Sequence, residues 1–183
     1  SISVLLGKTS LEGLMIDLTL LMPTSNKLSN PLMYYHLGVL YLAAVVREVG
    51  YSVVIDDLRD KEPDYRLITP AKYTGFSATS GQYNMCKQMA SKLKETTTIL
   101  GGPHSSLLLD EVEGFDVAVA GEGEHIILDI LKGLTGKHTA KRITNLDNLP
   151  FPAWDLLESD RCFSRELFPG ERYGQDKKAA TIM

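Results

Sequence analysis

The chain has 183 residues, 44% hydrophobic and 23% charged, an ordinary balance for a globular domain with a sizeable core and one that argues against disorder. A formal charge of -4 and a pI near 5.6 leave no basic footprint for nucleic acid or an anionic membrane surface. No apolar run reaches the ~20 residues of a membrane span, and "SISVLLGKTSLEGL" lacks the basic start and long apolar centre of a secretion signal. Two cysteines, Cys86 and Cys162, cannot form a disulfide framework, so free thiols in a reducing cytoplasm are expected.

In chain order, "LMIDLTLLMP" reads as a buried first strand, stopped by Pro23 and the polar loop "TSNKLSN". "YYHLGVLYLAAVVREVG" follows as a helix, with Leu37, Leu40, Tyr41, Ala44 and Val45 at helical spacing and Gly50 as a left-handed cap. "YSVVIDD" is β-branched and reads as a second strand. After a charged, proline-bearing connection, "KYTGFSATS" is a third strand ending in small polar residues. "GQYNMCKQMASKLKE" is a helix, with Met85, Met89 and Leu93 on one face. "TTTILGG" is a fourth strand, "PHSSLLLDEVEG" a weaker helical stretch, and "FDVAVAGEGE" a fifth strand with its loop. "EHIILDILKGL" closes the series as a helix.

Near-continuous apolar strands alternating with helices predict a doubly wound α/β domain over residues 1–136: a five-stranded parallel sheet, Rossmann-like and flavodoxin-like, with helices on both faces. Residues 137–183 carry little periodicity and read as an extended connector with short turns. The final "KKAATIM" looks like the start of a strand without continuation, which suggests a fragment of something longer.

In such a sheet, ligands bind outside the carboxyl ends of the strands. The loops there are "PTSNKLSN", "SATSGQ", "GGPHSS" and "GEGE", and three of the four combine glycine with hydroxyls or backbone amides. Glycines permit close backbone approach, and helix starts offer unpaired N–H donors. Gly101-Gly102 is a turn or one wall of a shared crevice. His104 is a backbone-bonding residue at a helix start or a contact to a ligand's polar edge, and not a metal ligand, since no second histidine or cysteine sits at metal-ligand spacing. Glu122 and Glu124 are either paired acid–base carboxylates or helix-capping acids, and capping is the better reading. No dinucleotide or nucleoside triphosphate fingerprint is present. The third strand ends in Ser77-Ala78-Thr79 where a phosphoacceptor receiver domain needs an aspartate.

Taken together, "HLGVLYLAAVVREVGYSVVIDD", "GFSATSGQY", "TILGGPHSS", "DVAVAGEGE" and "NLDNLPFPAWDLL", in this order over roughly residues 30–157, resemble the amino-terminal cobalamin-binding domain of cobalamin-dependent radical S-adenosylmethionine enzymes. The resemblance implies a corrin held against the strand ends. Ser77, Thr79 and Ser80 would line the nucleotide-tail slot. Gly101, Gly102, Pro103 and His104 would meet the tail or the corrin amides, and Gly121, Glu122, Gly123 and Glu124 the neighbouring edge. Pro23, Leu37 and Gly38 would lie beside the ring, with His36, Gln82 and Tyr83 as unranked candidates to face cobalt.

Two departures qualify it. The cobalt-ligating Asp-x-His-x-x-Gly of mutase-type domains is absent, so no protein ligand to the metal is assigned. The cluster motif Cys-x-x-x-Cys-x-x-Cys is also absent, and a segment like "AATIM" leads into that motif in the family. The chain alone therefore has no predicted catalytic residue. S-adenosylmethionine and a [4Fe-4S] cluster belong to a parent enzyme, of methyltransferase type, whose radical barrel is the implied partner of this module. The alternative is a flavodoxin-like module for a nucleotide or flavin.

Overall fold

The computed structural model describes residues 15–25, 32 and 36–157. The amino-terminal apolar patch, most of the loop after the first strand, Tyr34 and Tyr35, Cys162 and the "AATIM" segment lie outside the described residues.

Six parallel strands form one sheet: β1 (Ile16–Met22), β2 (Val53–Asp57), β3 (Ala71–Ser77), β4 (Thr97–Gly101), β5 (Val117–Ala120) and β6 (Gly136–Thr139), in the order β2-β1-β3-β4-β5-β6. Four helices accompany them: α1 (Leu37–Glu48), α2 (Ser80–Ala90), α3 (Pro103–Leu108) and α4 (Ile127–Ile130). The predicted doubly wound, Rossmann-like class is the observed one. The strand order is the flavodoxin-like one, in which the chain runs outward from β1 to β2 and then returns to β3 on the other side.

Alternation along each strand sends side chains to two separate cores. Leu18, Leu20 and Met22 of β1, Ile99 of β4, and Val117 and Val119 of β5 meet Val39, Leu40 and Ala43 of α1 and Ile127 and Ile130 of α4. The opposite face carries Leu21, Phe76, Leu100 and Ala118, packed against Cys86, Met89 and Ala90 of α2. Arg47 sits in the last turn of α1, where a cation suits the helix dipole, and Gly50 turns the chain out of the helix at φ +90°.

The sheet differs from the sequence reading at its far edge. "GKHT", placed at the start of an extended connector, pairs with β5 from Val117↔Gly136 to Ala120↔Thr139 as a sixth strand. Its residues are exposed or half-buried, as an edge strand allows, so no apolar run marks it. The last predicted helix is also shorter. A 3-10 turn over Gly123–His125 precedes α4, which is a single turn, and Gly133 at φ +107° follows.

Candidate functional site

The site begins with side chains that are missing. On the α1 face of the sheet, Gly75 and Gly101 take positions that elsewhere carry core residues. Gly75 stands in register with Leu20 and Ile99, and Gly101 with Ser77. A Cβ built on Gly101, or on Gly38 in the first turn of α1, would meet nothing within 4 Å. At Gly75, by contrast, a Cβ would come within 2.9 Å of Leu20 Cδ2, so Leu20 occupies the place of the missing side chain. The open positions at Gly38 and Gly101 border a cavity of about 270 Å³ between the sheet, α1 and α4, at the carboxyl ends of the strands. Its deep walls are Leu20, Val39, Leu42, Ile99, Val119, Ile127 and Ile130; its rim includes Ser77, Gly101, Gly102, Gly121, Glu122, Gly123 and Glu124.

Backbone conformation fixes this rim. Gly102 has φ +93°, and a Cβ there would come within 2.9 Å of the Ala78 nitrogen. That closeness is needed because the ends of β3 and β4 are laced together: Ala78 N–H donates to the Gly101 carbonyl at 3.1 Å, and His104 N–H to the Ala78 carbonyl at 3.0 Å. Gly121, at φ +84°, lies so close to the connector that a Cβ would sit 2.7 Å from the Ala140 carbonyl oxygen.

The two glutamates stand at the start of a helical turn, as the sequence reading preferred, with Glu122 at the N-cap position and Glu124 in the first turn, but the Glu122 side chain makes no capping hydrogen bond. The turn is a 3-10 turn over Gly123–His125, not an α-helix. The Glu122 carboxylate instead accepts a hydrogen bond from Ile143 N–H and ties the connector to the mouth of the cavity. Burial raises the Glu124 carboxyl above its ordinary value, and the charge of Glu122 adds to the rise. No lysine or arginine lines the cavity among the described residues.

The remaining predicted residues stand around this cavity without lining it. Thr79 caps α2, its N–H and Oγ1 both directed at Gln82 Oε1, at 3.0 and 2.9 Å. Gln82 Nε2 in turn donates to the carbonyls of Pro23 and Thr24 at 2.9 and 3.0 Å. Gln82 is therefore a buried tie between α2 and the segment after β1. The Ser80 hydroxyl meets His104 Nδ1 at 3.0 Å. The His104 ring stacks on Tyr83 with centroids 4.0 Å apart, and its Nε2 is buried without a hydrogen-bond partner. Tyr83 Oη both accepts from Glu113 N–H and donates to the Glu113 carbonyl. Pro103 opens α3, and Leu37 packs against the α1-side core.

Sequence comparison adds a relative. The chain is 28% identical to an uncharacterized methyltransferase of Pyrococcus horikoshii over 162 aligned positions, taking in 68% of this chain and 34% of the relative. It spans about a third of that relative's length. No protein-family model and no solved structure matches the chain.

Chemically, the arrangement is suited to binding. Cys86, buried in the α2-side core, has its thiol pushed up to about 12 by burial and is no nucleophile at neutral pH. His36, half-buried at the start of α1, is lowered to about 4 by burial and by the nearby Arg59 guanidinium, against the opposing pull of Asp57. Arg59 is itself buried and forks onto Asp57 through Nε and Nη2, each at 2.8 Å. The sequence reading missed this pair and the apolar walls of the cavity. The one local signal for the cavity was Gly75, a glycine inside an otherwise strand-forming run. Among the described residues, no helix is long and apolar enough to cross a membrane, and no group of three or more His, Cys, Asp or Glu side chains converges as a metal site.

Proposed function

We propose that this chain is the cobalamin-binding module of a cytoplasmic radical S-adenosylmethionine methyltransferase, with the nucleotide base of the cofactor in the apolar slot and the corrin over the strand ends. The observation that carries the reading is the slot itself. It is narrow and apolar within, and its glycine rim bears two carboxylates and no cation. At about 270 Å³ it falls just below the usual range for a whole small-molecule site, so it suits one flat arm of a larger ligand whose body stays outside.

The residues fit such a ligand. Gly38 and Gly101 leave room for the arm, and Gly101 and Gly102 allow backbone to approach it. Ser77 offers a hydroxyl at the rim, and Thr79, Ser80, Pro103 and His104 extend that edge. Glu122 and Glu124 are suited to accept hydrogen bonds from the primary amides of a corrin fringe, with Gly121 and Gly123 between them. Two carboxylates at the mouth disfavour a ligand that enters phosphate first, which weighs against a flavin mononucleotide. Pro23, Leu37 and Gly38 would flank the ring. When bound, cobalamin supplies a cobalt-carried methyl group; the protein positions it and excludes water. The likeness to a methyltransferase supports the reaction class, while the cluster, S-adenosylmethionine and the barrel belong to the remainder of the parent enzyme.

The test is direct. The purified chain is mixed with hydroxocobalamin or, in parallel, with flavin mononucleotide, desalted, and examined by visible absorption. Retained corrin absorbance is the expected result. A folded but colourless chain would overturn the reading, and retention of the flavin alone would establish the alternative.

A further inference from the structure

We infer that the slot selects among corrinoids by their nucleotide base, accepting a benzimidazole-type ring and rejecting an aminopurine. The inference rests on the corrinoid reading above and concerns which corrinoid the site takes.

The argument comes from what the deep walls cannot do. Leu20, Val39, Ile99, Val119, Ile127 and Ile130 offer only hydrocarbon. Backbone there is already engaged. Gly75 lies between Leu20 of β1 and Ile99 of β4 in the parallel ladder, and the Val119 carbonyl accepts from Ser105 Oγ at 2.6 Å. On the sheet wall the one side-chain hydroxyl is that of Ser77. It sits at the rim, where its Oγ would lie 3.1 Å from a Cβ on Gly102. The glutamates are also at the mouth, and Glu122 is engaged by Ile143 N–H.

A benzimidazole brings hydrocarbon edges that these walls can cover, and a single ring nitrogen free of the sugar. An aminopurine brings an exocyclic amine and additional ring nitrogens. Inside the slot those groups would lose water and find no partner, and a buried polar group left unpaired is what an apolar site discriminates against. Discrimination by an apolar pocket against an added polar group is moderate, so the aminopurine form is expected to bind about tenfold to about a hundredfold more weakly.

The experiment compares three probes on the same chain by equilibrium dialysis with visible absorption: hydroxocobalamin, the corresponding adenine-bearing cobamide, and cobinamide, which has no nucleotide. Tightest binding of hydroxocobalamin, with the adenine form at least tenfold weaker, is the expected outcome. Equal affinity for the two complete cobamides overturns base selection while leaving corrinoid binding intact. Cobinamide binding as tightly as cobalamin overturns it too, because the base then contributes nothing. Binding of none of the three overturns the corrinoid reading itself.

A variant tests the cause. Val119→Thr places a hydroxyl on the slot wall at nearly unchanged shape, and circular dichroism reports whether the fold is kept. The ratio of the two cobamide affinities is expected to move several-fold toward one. A ratio that stays fixed in a folded variant would show that unpaired polar groups are not what the slot reads.

Discussion

Gly101 and Gly102 are neighbours with different jobs, and substitution separates them. A valine at Gly101 sits in a strand position that favours β-branched residues, with nothing within 4 Å of its Cβ. Its side chain then fills the cavity mouth. Gly101→Val is expected to fold with an unchanged urea midpoint and to lose at least tenfold in hydroxocobalamin affinity. At Gly102 the positive φ and the 2.9 Å approach to Ala78 leave no place for a side chain. Gly102→Val should therefore cost about 1–3 kcal/mol of stability in the same urea series. His36 gives a second residue-scale prediction, with a defined sign. Its folded pKa of about 4 lies below the ordinary 6.5, so below pH 6.5 the unfolded chain takes up the proton first. Stability should fall as pH drops from 6.5 toward 4 and then level off as far as His36 is concerned. With His36 only half-buried, the loss between pH 7 and pH 5 is expected to be about 1–2 kcal/mol, and His36→Gln should flatten it. Asp17, held down to about 2 chiefly by its hydrogen bond to Lys72, acts in a separate window, its contribution disappearing as pH falls below the ordinary 3.8.

At the scale of elements, α1 joins the site to the connector. It supplies Gly38, Val39 and Leu42 to the cavity, and its outer surface receives the segment around Ala153. Ala153 is fully buried, its N–H donates to the Leu40 carbonyl at 3.1 Å, and Leu157 joins the α1-side core. Nearby, Arg47 forks onto Asp155 at 2.5 and 3.0 Å in an exposed setting. The two contacts differ in worth. Arg47→Ala should change stability by less than about 1 kcal/mol, as exposed ion pairs do, whereas Ala153→Asp, which buries an unpaired carboxylate, should cost about 3 kcal/mol or more. Urea denaturation of the two variants checks the contrast, and a costly Arg47→Ala would mean that the fork and not apolar burial holds the connector. Legibility at this scale followed burial. β1 and β3 to β5 were readable because they lie inside the sheet and their runs are largely apolar, and β2, a half-buried edge strand, was readable from its β-branched Val53, Val54 and Ile55. β6 was not, because "GKHT" is a polar edge held by backbone pairing alone. The shortness of α4 was hidden as well. Ile126, Ile127, Ile130 and Leu131 fill the core whether one turn or three are hydrogen-bonded, so their pattern marks the face and not the length.

For the whole molecule, the cavity lies where the topology places it. The chain leaves β1 outward to β2 and returns inward to β3, so β1 and β3 flank the switch point of the sheet, and the register partners Leu20 and Gly75 form part of the cavity there. Of the strand-end loops singled out in the sequence, Ser77, Gly101, Gly102, Gly121, Glu122, Gly123 and Glu124 reach the rim of the cavity, and Pro23, Thr79, Ser80, Pro103 and His104 do not line it. The slot beneath was not legible, because its walls come from positions 20, 39, 99, 119 and 130. Periodicity marks each of these as buried without showing that together they leave space unfilled. A ligand that fills such a gap is linked to folding, since the slot exists only in the native chain. With hydroxocobalamin at about 100 times its dissociation constant, stability should rise by about 2.7 kcal/mol. For a chain of this length that is a Tm increase of about 5–10 °C. Each further tenfold in ligand should add about 1.4 kcal/mol, giving a shift that grows linearly with the logarithm of concentration. Flavin mononucleotide should produce no shift, and Gly101→Val, at the same ligand concentration, should reduce the one that cobalamin produces by about half or more while keeping the unliganded Tm. A Tm in the wild-type chain that ignores cobalamin across a hundredfold range of concentration would mean that the slot is a packing defect of the sheet and not a binding site.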